Sequence, residues 1–325
     1  MRPSLLSPFR WLAPEGVAGR LSIFIFHRVL EQFDPLLPEE PDRVRFERIV
    51  GFLTRNFTVM RLSDAIDALA QGRLPAAAAC ITFDDGYADN LTVAAPVLRQ
   101  HGVSATFFVA TAFIDGGRMW NDTVIEAVRR APDGVLDWSD LGLDRYAIDA
   151  AAASRVRAYA HALKALKHLP PAQRHDITAE LSRRGGLGGS SQLMMSATQL
   201  RELAEMGMDI GGHTRSHPIL ATLDERSAGQ EIAGGREDLA AWLGKAPTLF
   251  AYPNGVPAQD YGTRDVALVK AAGFAAAVST AAGVARTGAD MYQLPRFTPW
   301  DRGMARFAAR CAINVRNGTQ PHLAV

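Results

Sequence analysis

The sequence predicts an α/β fold, a parallel sheet with helices covering it, and three observations carry that expectation. Runs such as Ser22-Ile23-Phe24-Ile25-Phe26 and Ala79-Cys80-Ile81-Thr82-Phe83 are short and apolar throughout, as strands buried on both faces are. Segments with apolar residues at helical spacing separate those runs, and strand–helix alternation is the signature of a parallel sheet. The chain has 325 residues, 48% hydrophobic and 21% charged, which is ample for a large core.

Taken in order, the first strand covers 22–26 and ends at His27. Helices are expected over 46–52, from the spacing of its apolar residues, and over 63–70, with Ser63 as N-cap. A strand over 79–83, a helix over 93–101 and a strand over 105–110 continue the alternation. From 116 to 196 the rhythm breaks. Helical patterns at 124–130, 150–169 and 173–184 run into Gly185-Gly186-Leu187-Gly188-Gly189-Ser190-Ser191, so this stretch reads as a mostly helical insertion ending in a flexible linker. The glycines lack the lysine and the strand context of a phosphate loop. A strand is expected at 208–210, after a helix to 205 that Ser196 and Gln199 open as a capping box. Asp224 caps a long helix toward 242. A strand over 248–252 is closed by Pro253-Asn254-Gly255, and a helix over 263–272 ends at Gly273, where a C-cap belongs. Strands over 274–279 and 292–297 and a helix over 302–313 complete the set. The expected organisation is an arm (1–19), one domain (20–313) carrying the insertion, and a tail (314–325).

The formal net charge is +1 and no long basic run is present, which argues against a general nucleic-acid binder. Cys80 and Cys311 lie far apart in apolar stretches and read as buried free thiols. No stretch is long and apolar enough to span a membrane. The first residues lack the pattern of a signal peptide, so the expected location is the cytoplasm. The arm mixes Leu5, Leu6, Phe9, Trp11 and Leu12 with Arg2 and Arg10. It reads as packed on the domain, with a peripheral foot on a membrane surface as the alternative.

The chemistry is concentrated in two places. Asp84 and Asp85 are adjacent at the end of an apolar strand, and Gly86 follows. Buried carboxylates side by side need a cation or a shared proton to be tolerated. His213 and His217, in His213-Thr214-Arg215-Ser216-His217, are spaced to share a face if the backbone turns helically there. Two imidazoles, a carboxylate and an open position make a catalytic zinc site. The same donors can hold Fe(II) for an oxygenase, but that chemistry has no use for a second carboxylate beside the ligand.

Thr82-Phe83-Asp84-Asp85-Gly86, followed by the two-histidine motif and by Tyr252-Pro253-Asn254-Gly255, resembles the polysaccharide deacetylase family (carbohydrate esterase family 4, the NodB-homology domain). The resemblance covers roughly 20–300 outside the insertion. It implies a distorted (β/α)7-type barrel and metal-dependent removal of an acyl group from an amino sugar. By position, it makes Asp84 the general base and Asp85, His213 and His217 the ligands of Zn2+ or another divalent ion. Thr214 would tie the loop, and the backbone N–H of Asn254 would face the oxyanion. Two departures stand out. The family's Arg-x-Pro-Tyr segment is replaced by Ala251-Tyr252-Pro253-Asn254, which leaves Arg296 as the candidate to steady Asp84. The usual late histidine has only His322 as counterpart, whereas Phe26-His27-Arg28-Val29 resembles the start of a rearranged branch whose first strand supplies the acid; His27 is therefore the candidate acid. Tyr87, Trp120, Asp122 and Trp300 are candidate pocket residues. The expected substrate is an acylated amino sugar or glycan. With the cytoplasmic expectation, that means a sugar nucleotide, a lipid-linked sugar or a small glycoside. Hydrolysis of another amide, such as a formyl group or cyclic imide, and a non-catalytic glycan-binding module are the alternatives.

Overall fold

A computed structural model describes residues 7–317 except 190 and 300. The chain enters through α1 (Pro8–Leu12) and β1 (Arg20–Phe26), then α2 (Arg43–Asn56), β2 (Thr58–Val59), α3 (Leu62–Ala70) and β3 (Ala78–Phe83). Next come α4 (Ala95–Gln100) and β4 (Thr106–Val109). The insertion holds α5 (Trp120–Arg130), β5 (Gly134–Asp137), β6 (Arg145–Ile148), α6 (Ala152–Leu166) and α7 (Pro171–Arg184). Then follow α8 (Ala197–Glu205), β7 (Asp209–Gly212), α9 (Glu225–Leu243), β8 (Leu249–Ala251) and α10 (Thr263–Ala271). The chain finishes with β9 (Ala276–Ala282), β10 (Ala285–Arg286), β11 (Leu294–Arg296) and α11 (Met304–Asn317).

Strands β1, β3, β4, β7, β8, β9 and β11 pair in that order, all parallel. The ring is drawn together beyond β11, where Phe297 donates to Ile23 O at 2.7 Å and accepts from Ile25 N at 3.1 Å. The result is a distorted seven-stranded barrel, with β2 laid on the start of β3 and β10 antiparallel on the start of β1.

Alternation along the strands divides the core. Leu21, Ile23, Cys80, Phe108, Leu249, Val278 and Leu294 pack together, and Leu62, Ile66 and Leu69 of α3 pack with them. The opposite faces, Phe24, Phe26 and Ile81, pack against Phe46 and Leu53 of α2, Leu98 of α4 and Phe307 of α11. Gly211 in β7 is where the Phe108 ring needs room, since a Cβ there would stand 2.4 Å from it.

Several expectations are corrected. Ser63 is not an N-cap: α3 begins one residue earlier, after Arg61, and the Ser63 hydroxyl bonds Asp209 at 2.8 Å instead. The expected helix over 93–101 starts as a π-helical turn (Asn90–Ala94) and becomes α-helical only at Ala95, where Pro96, lacking an N–H, sits in the first turn. The insertion is mostly helical, as expected, and also holds two strands. Strands β5 and β6 form a hairpin whose last pair, Asp137 and Arg145, is also an ion pair at 2.9 Å. β5 is mostly exposed and has no apolar alternation, and in β6 the alternation rests on two residues, Tyr146 and Ile148, too few to mark a strand. The insertion has its own core, built from Val124, Val128, Trp138, Ala162, Leu166 and Leu181. Its glycine-rich end is held at two points, with Gly188 and Gly189 exposed between them. Leu187 is buried, and Ser191 donates to Gly116 O at 2.9 Å, joining the two ends. The capping box at Ser196 and the Asp224 cap are present.

Phe9 anchors the arm against Phe52 and Phe57, while Trp11 is 85% exposed. Leu5 and Leu6 lie outside the described residues. No described helix is long and apolar enough to cross a membrane.

Candidate active site

Strand β3 ends at Phe83, and Asp84 N still bonds back to Phe26 O at 2.9 Å. Asp85 (φ 77°) and Gly86 (φ 92°) then take left-handed conformations in succession. The two carboxylates therefore reach one cavity because the chain turns at Asp85 itself, and Gly86 continues the turn. Strand alternation does not separate them, since Asp85 has already left the sheet.

Arg296, at the end of β11, clamps Asp84. Its two terminal nitrogens stand 2.7 Å from Oδ1 and 2.7 Å from Oδ2, and its Nε donates to Ser279 O at 2.8 Å. Arg296 is 1% exposed and Asp84 2%, so the pair is desolvated and bidentate. Burial alone would push the Asp84 carboxyl upward, but the guanidinium, aided by His213, brings it below the usual carboxylate range.

His213 and His217 face Asp85, though not from a helix. Thr214 (φ 64°) and His217 (φ 55°) are left-handed, and the Thr214 hydroxyl accepts from the His217 N–H at 3.1 Å. From α9, the Glu231 carboxylate accepts the Arg215 and Ser216 N–H groups at 3.0 and 2.8 Å, so the loop is held from below. His213 Nδ1 lies 2.7 Å from Ala251 O, a contact that requires a proton on Nδ1 and leaves the Nε2 lone pair free. The two Nε2 atoms stand 3.5 Å (His213) and 3.4 Å (His217) from Asp85 Oδ1.

These donors fit a divalent cation. Ligand atoms of Asp85, His213 and His217 all lie within 4.8 Å of one another, and Asp85 Oδ1 is buried with no hydrogen-bond partner. Ligand bonds of about 2.0–2.1 Å in tetrahedral array separate ligand atoms by roughly 3.3 Å. Burial drives the His217 imidazole down to about 4, and the neighbouring His213 adds to this against the pull of Asp85, so the ring is neutral and its lone pair available. Asp85 stays ionised: burial opposes this, but His217 and His213 hold it well below the ordinary value. His213 goes the other way, raised by Asp85 and Asp84 against the effect of burial.

The site opens into a cavity of about 410 Å³. Its barrel side presents His27, Asp84, Asp85, the two histidines, Asn254 and Thr280. Its other side belongs to the insertion: Met119, Trp120, Asn121, Leu163, Lys164 and Lys167. His27 is half-buried at the end of β1, and its carbonyl accepts from Asn90 Nδ2 at 2.9 Å. Asn254 is left-handed (φ 59°), and Thr280 Oγ1 donates to its carbonyl at 2.7 Å.

Of the expected pocket residues, Trp120 lines the cavity. Tyr87 and Asp122 do not. They are buried against each other, the phenol 3.2 Å from both carboxyl oxygens, with the Arg28 guanidinium 4.8 Å from the Tyr87 ring centre. The reason is that Asp122 opens α5 at the seam between insertion and barrel, where burial pushes its carboxyl up to about 7. Trp300 and His322 lie outside the described residues. Thr280, Asn121, Lys164 and Lys167 were missed. Thr280 falls one residue past the expected end of its strand, and nothing in the local sequence marks the other three.

A model of the polysaccharide deacetylase family matches residues 71–277. The chain is similar to YxkH of Bacillus subtilis, which carries a provisional polysaccharide deacetylase name: 22% identity over 288 residues, covering 88% of this chain and 73% of that one. Among solved structures, deacetylase PplD of Streptococcus pyogenes, in complex with acetate, superposes with a TM-score of 0.59 at 16% identity, covering 93% of this chain and 99% of that chain. IcaB from Ammonifex degensii gives 0.59 at 20% identity, covering 94% and 98%. At these identities the structural likenesses establish the shared fold.

Proposed function

The chain belongs to the polysaccharide deacetylase family, and from that premise we propose that it hydrolyses the N-acyl group of an amino sugar, using Asp84 as base, His27 as acid and a divalent ion on Asp85, His213 and His217. One observation carries the reading: three ligand atoms converge beside a fourth group, Asp84, which is ionised, aimed and not needed as a ligand.

A divalent ion in that cradle supplies Lewis acidity, polarising the acyl carbonyl and acidifying the attacking water. The rest falls to the chain's own residues. Asp84 takes the water's proton on a carboxylate oxygen, and Arg296 keeps that oxygen charged and pointed at the cavity. Positioned proton transfer of this kind contributes about 10²–10⁴-fold. The backbone N–H of Asn254 faces the oxygen of the acyl group as negative charge develops on it, a donor worth about 3–4 kcal/mol in comparable sites. His27, on the same side of the cavity, delivers a proton to the departing nitrogen. The Ala251 carbonyl keeps the His213 proton on Nδ1, so Nε2 stays a ligand. Trp120, on the facing wall, offers a flat surface to a pyranose ring.

The test measures acetate and formate release from a panel of acylated amino sugars, with zinc added and with chelator. Release is expected with zinc alone. Asp84→Asn is expected to bind zinc as the parent does and to lose about 10²–10⁴-fold in kcat. Undiminished turnover in zinc-loaded Asp84→Asn would remove Asp84 from its role.

A further inference from the structure

We propose that the sugar accepted by this cavity is anionic, with its negative charge seated on Lys164 and Lys167 of the insertion. The proposal rests on the deacetylase reading and narrows it to a substrate class.

The chain is sparing with lysine: only four, Lys164, Lys167, Lys245 and Lys270, stand among 35 basic residues. Two of the four line the candidate active-site cavity. They lie three residues apart at the end of α6, a spacing that brings side chains to one face of a helix. Neither ammonium has a carboxylate or hydrogen-bond partner among the described residues, whereas Arg28, Arg129, Arg155, Arg184, Arg215, Arg296 and Arg310 each pair with a carboxylate. A helix C-terminus favours one cation in its last turn. It does not require two, nor that both face a cavity.

The charge balance of that cavity points the same way. Among the described residues its only lining carboxylates are Asp84, neutralised by Arg296, and Asp85, which belongs to the ion-binding cradle. Beyond Trp120 a second hollow of about 440 Å³ continues along the insertion, where Arg118, Arg174 and His175 line it and no described carboxylate does. The Arg174 guanidinium lies 5.0 Å from the Trp120 ring centre, so the indole is shared by both hollows. A cleft wall that carries one sign of charge concentrates ligands of the other sign.

The placement also sets the geometry. The hydrolytic groups all lie on the barrel side and both lysines lie on the insertion side. The acyl amide must face the barrel, so the negative charge sits on another substituent of the same sugar or on its neighbour. An ammonium is a point charge without Arg's planar fork, and it serves a phosphate or a carboxylate alike.

The test compares N-acetylglucosamine oligomers (neutral), N-acetylglucosamine 1-phosphate and N-acetylmuramic acid, in zinc-supplemented protein. Acetate release is expected with kcat/KM about tenfold or more higher for an anionic sugar than for the neutral one, the scale of two partly exposed charge contacts. The phosphate and carboxylate arms show which anion is preferred. The preference is expected to appear mainly in KM and to shrink as NaCl rises. In Lys164→Gln/Lys167→Gln the ratio should collapse toward one, in Lys164→Arg/Lys167→Arg it should survive, and in Lys245→Gln it should be unaltered. Equal turnover of neutral and anionic sugars, or a preference that outlasts the glutamine pair, overturns the proposal. Calorimetric binding of the two anionic sugars to parent and glutamine variant separates the two ideas. If no sugar releases acetate but anion binding still requires the lysines, the deacetylase reading fails and the anion seat stands. If binding ignores the lysines, the seat fails whatever the turnover.

Discussion

The barrel end and the insertion face each other across one cavity, and they hold their charged groups in different ways. On the barrel side Asp84, Asp85, His213 and Arg296 are all buried, and Asp84, His213 and the histidine loop are each held by a neighbour: Arg296 grips Asp84, Ala251 O accepts from His213, and Glu231 supports the loop. On the insertion side Lys164 is exposed and Lys167 half-buried, neither paired among the described residues, on a unit with its own small core. A hydrolytic centre needs groups fixed before the substrate arrives, since reorganisation during reaction raises the barrier. A wall that only selects needs charge and reach. The two sides should therefore respond differently to mutation: the barrel through stability and ion affinity, the insertion through substrate choice.

The largest effect is expected at Arg296. Arg296→Met leaves the Asp84 carboxylate buried and alone, and breaking such a pair from one side costs about 3–5 kcal/mol. Urea unfolding should show that loss, and turnover should fall with it. Arg296→Lys keeps the charge but not the two-pronged grip, so it should recover part of the stability and less of the activity. A fully stable Arg296→Met chain would mean the barrel side is less tightly determined than its geometry implies.

The next test sits on the seam. In the folded, metal-free chain the Asp122 carboxyl keeps its proton up to about 7, against an ordinary value of 3.8. The folded state thus binds more protons than the unfolded one between those values, and stability falls as pH rises through that window. An amide has no such proton to lose. Asp122→Asn should match the parent near pH 3.8 and become relatively more stable up to about pH 7, then hold that advantage. Each tenfold difference in proton affinity between the folded and unfolded chains corresponds to about 1.4 kcal/mol. Parallel curves for the two proteins would show that Asp122 is charged in the folded chain.

How much of this was legible follows from distance along the chain. The carboxylate pair and the histidine pair are each local, so their residue types sufficed to mark them, as did the apolar strands that carry them. Arg296 was within reach because it ends an expected strand. The conformation of the histidine loop was not, since the same spacing arises from left-handed residues at 214 and 217 as from a helical turn. Tyr87 and Asp122 misled because polar residues near a site can equally be buried in a seam. In the hairpin of the insertion one strand has no alternation and the other only two buried apolar residues. Lys164 and Lys167 join the cavity only through the way α6 docks, which depends on contacts as remote as Tyr159 Oη to Leu36 O at 2.6 Å.

A smaller effect is expected under the histidine loop. At Gly235 in α9 an added Cβ would stand 2.7 Å from Thr214 O, and that neighbour is backbone. Gly235→Ala must push the helix or the loop, at about 1–3 kcal/mol for overpacking of this kind. Zinc titration should show weaker binding, because His213 and His217 flank the displaced carbonyl. Unchanged zinc affinity would separate loop position from the ion cradle.

The smallest effect tests whether the seam is electrostatic. Arg129 of the insertion pairs with Asp34 of the loop after β1 at 2.7 Å, and both side chains are partly exposed. Burial pushes the Asp34 carboxyl up, but Arg129 and the Leu36 N–H outweigh it and bring it below its ordinary value. The pair's contribution is therefore present above the unfolded carboxylate range and is lost as pH falls through the folded one. Arg129→Met should cost about 0.2–1 kcal/mol at pH 7, less in high salt, and almost nothing in strong acid. Zinc affinity should not change, because no cradle residue touches this pair. If it does fall, the insertion braces the barrel end, and the proposed division between a fixed catalytic side and a selecting wall gives way to a single coupled unit.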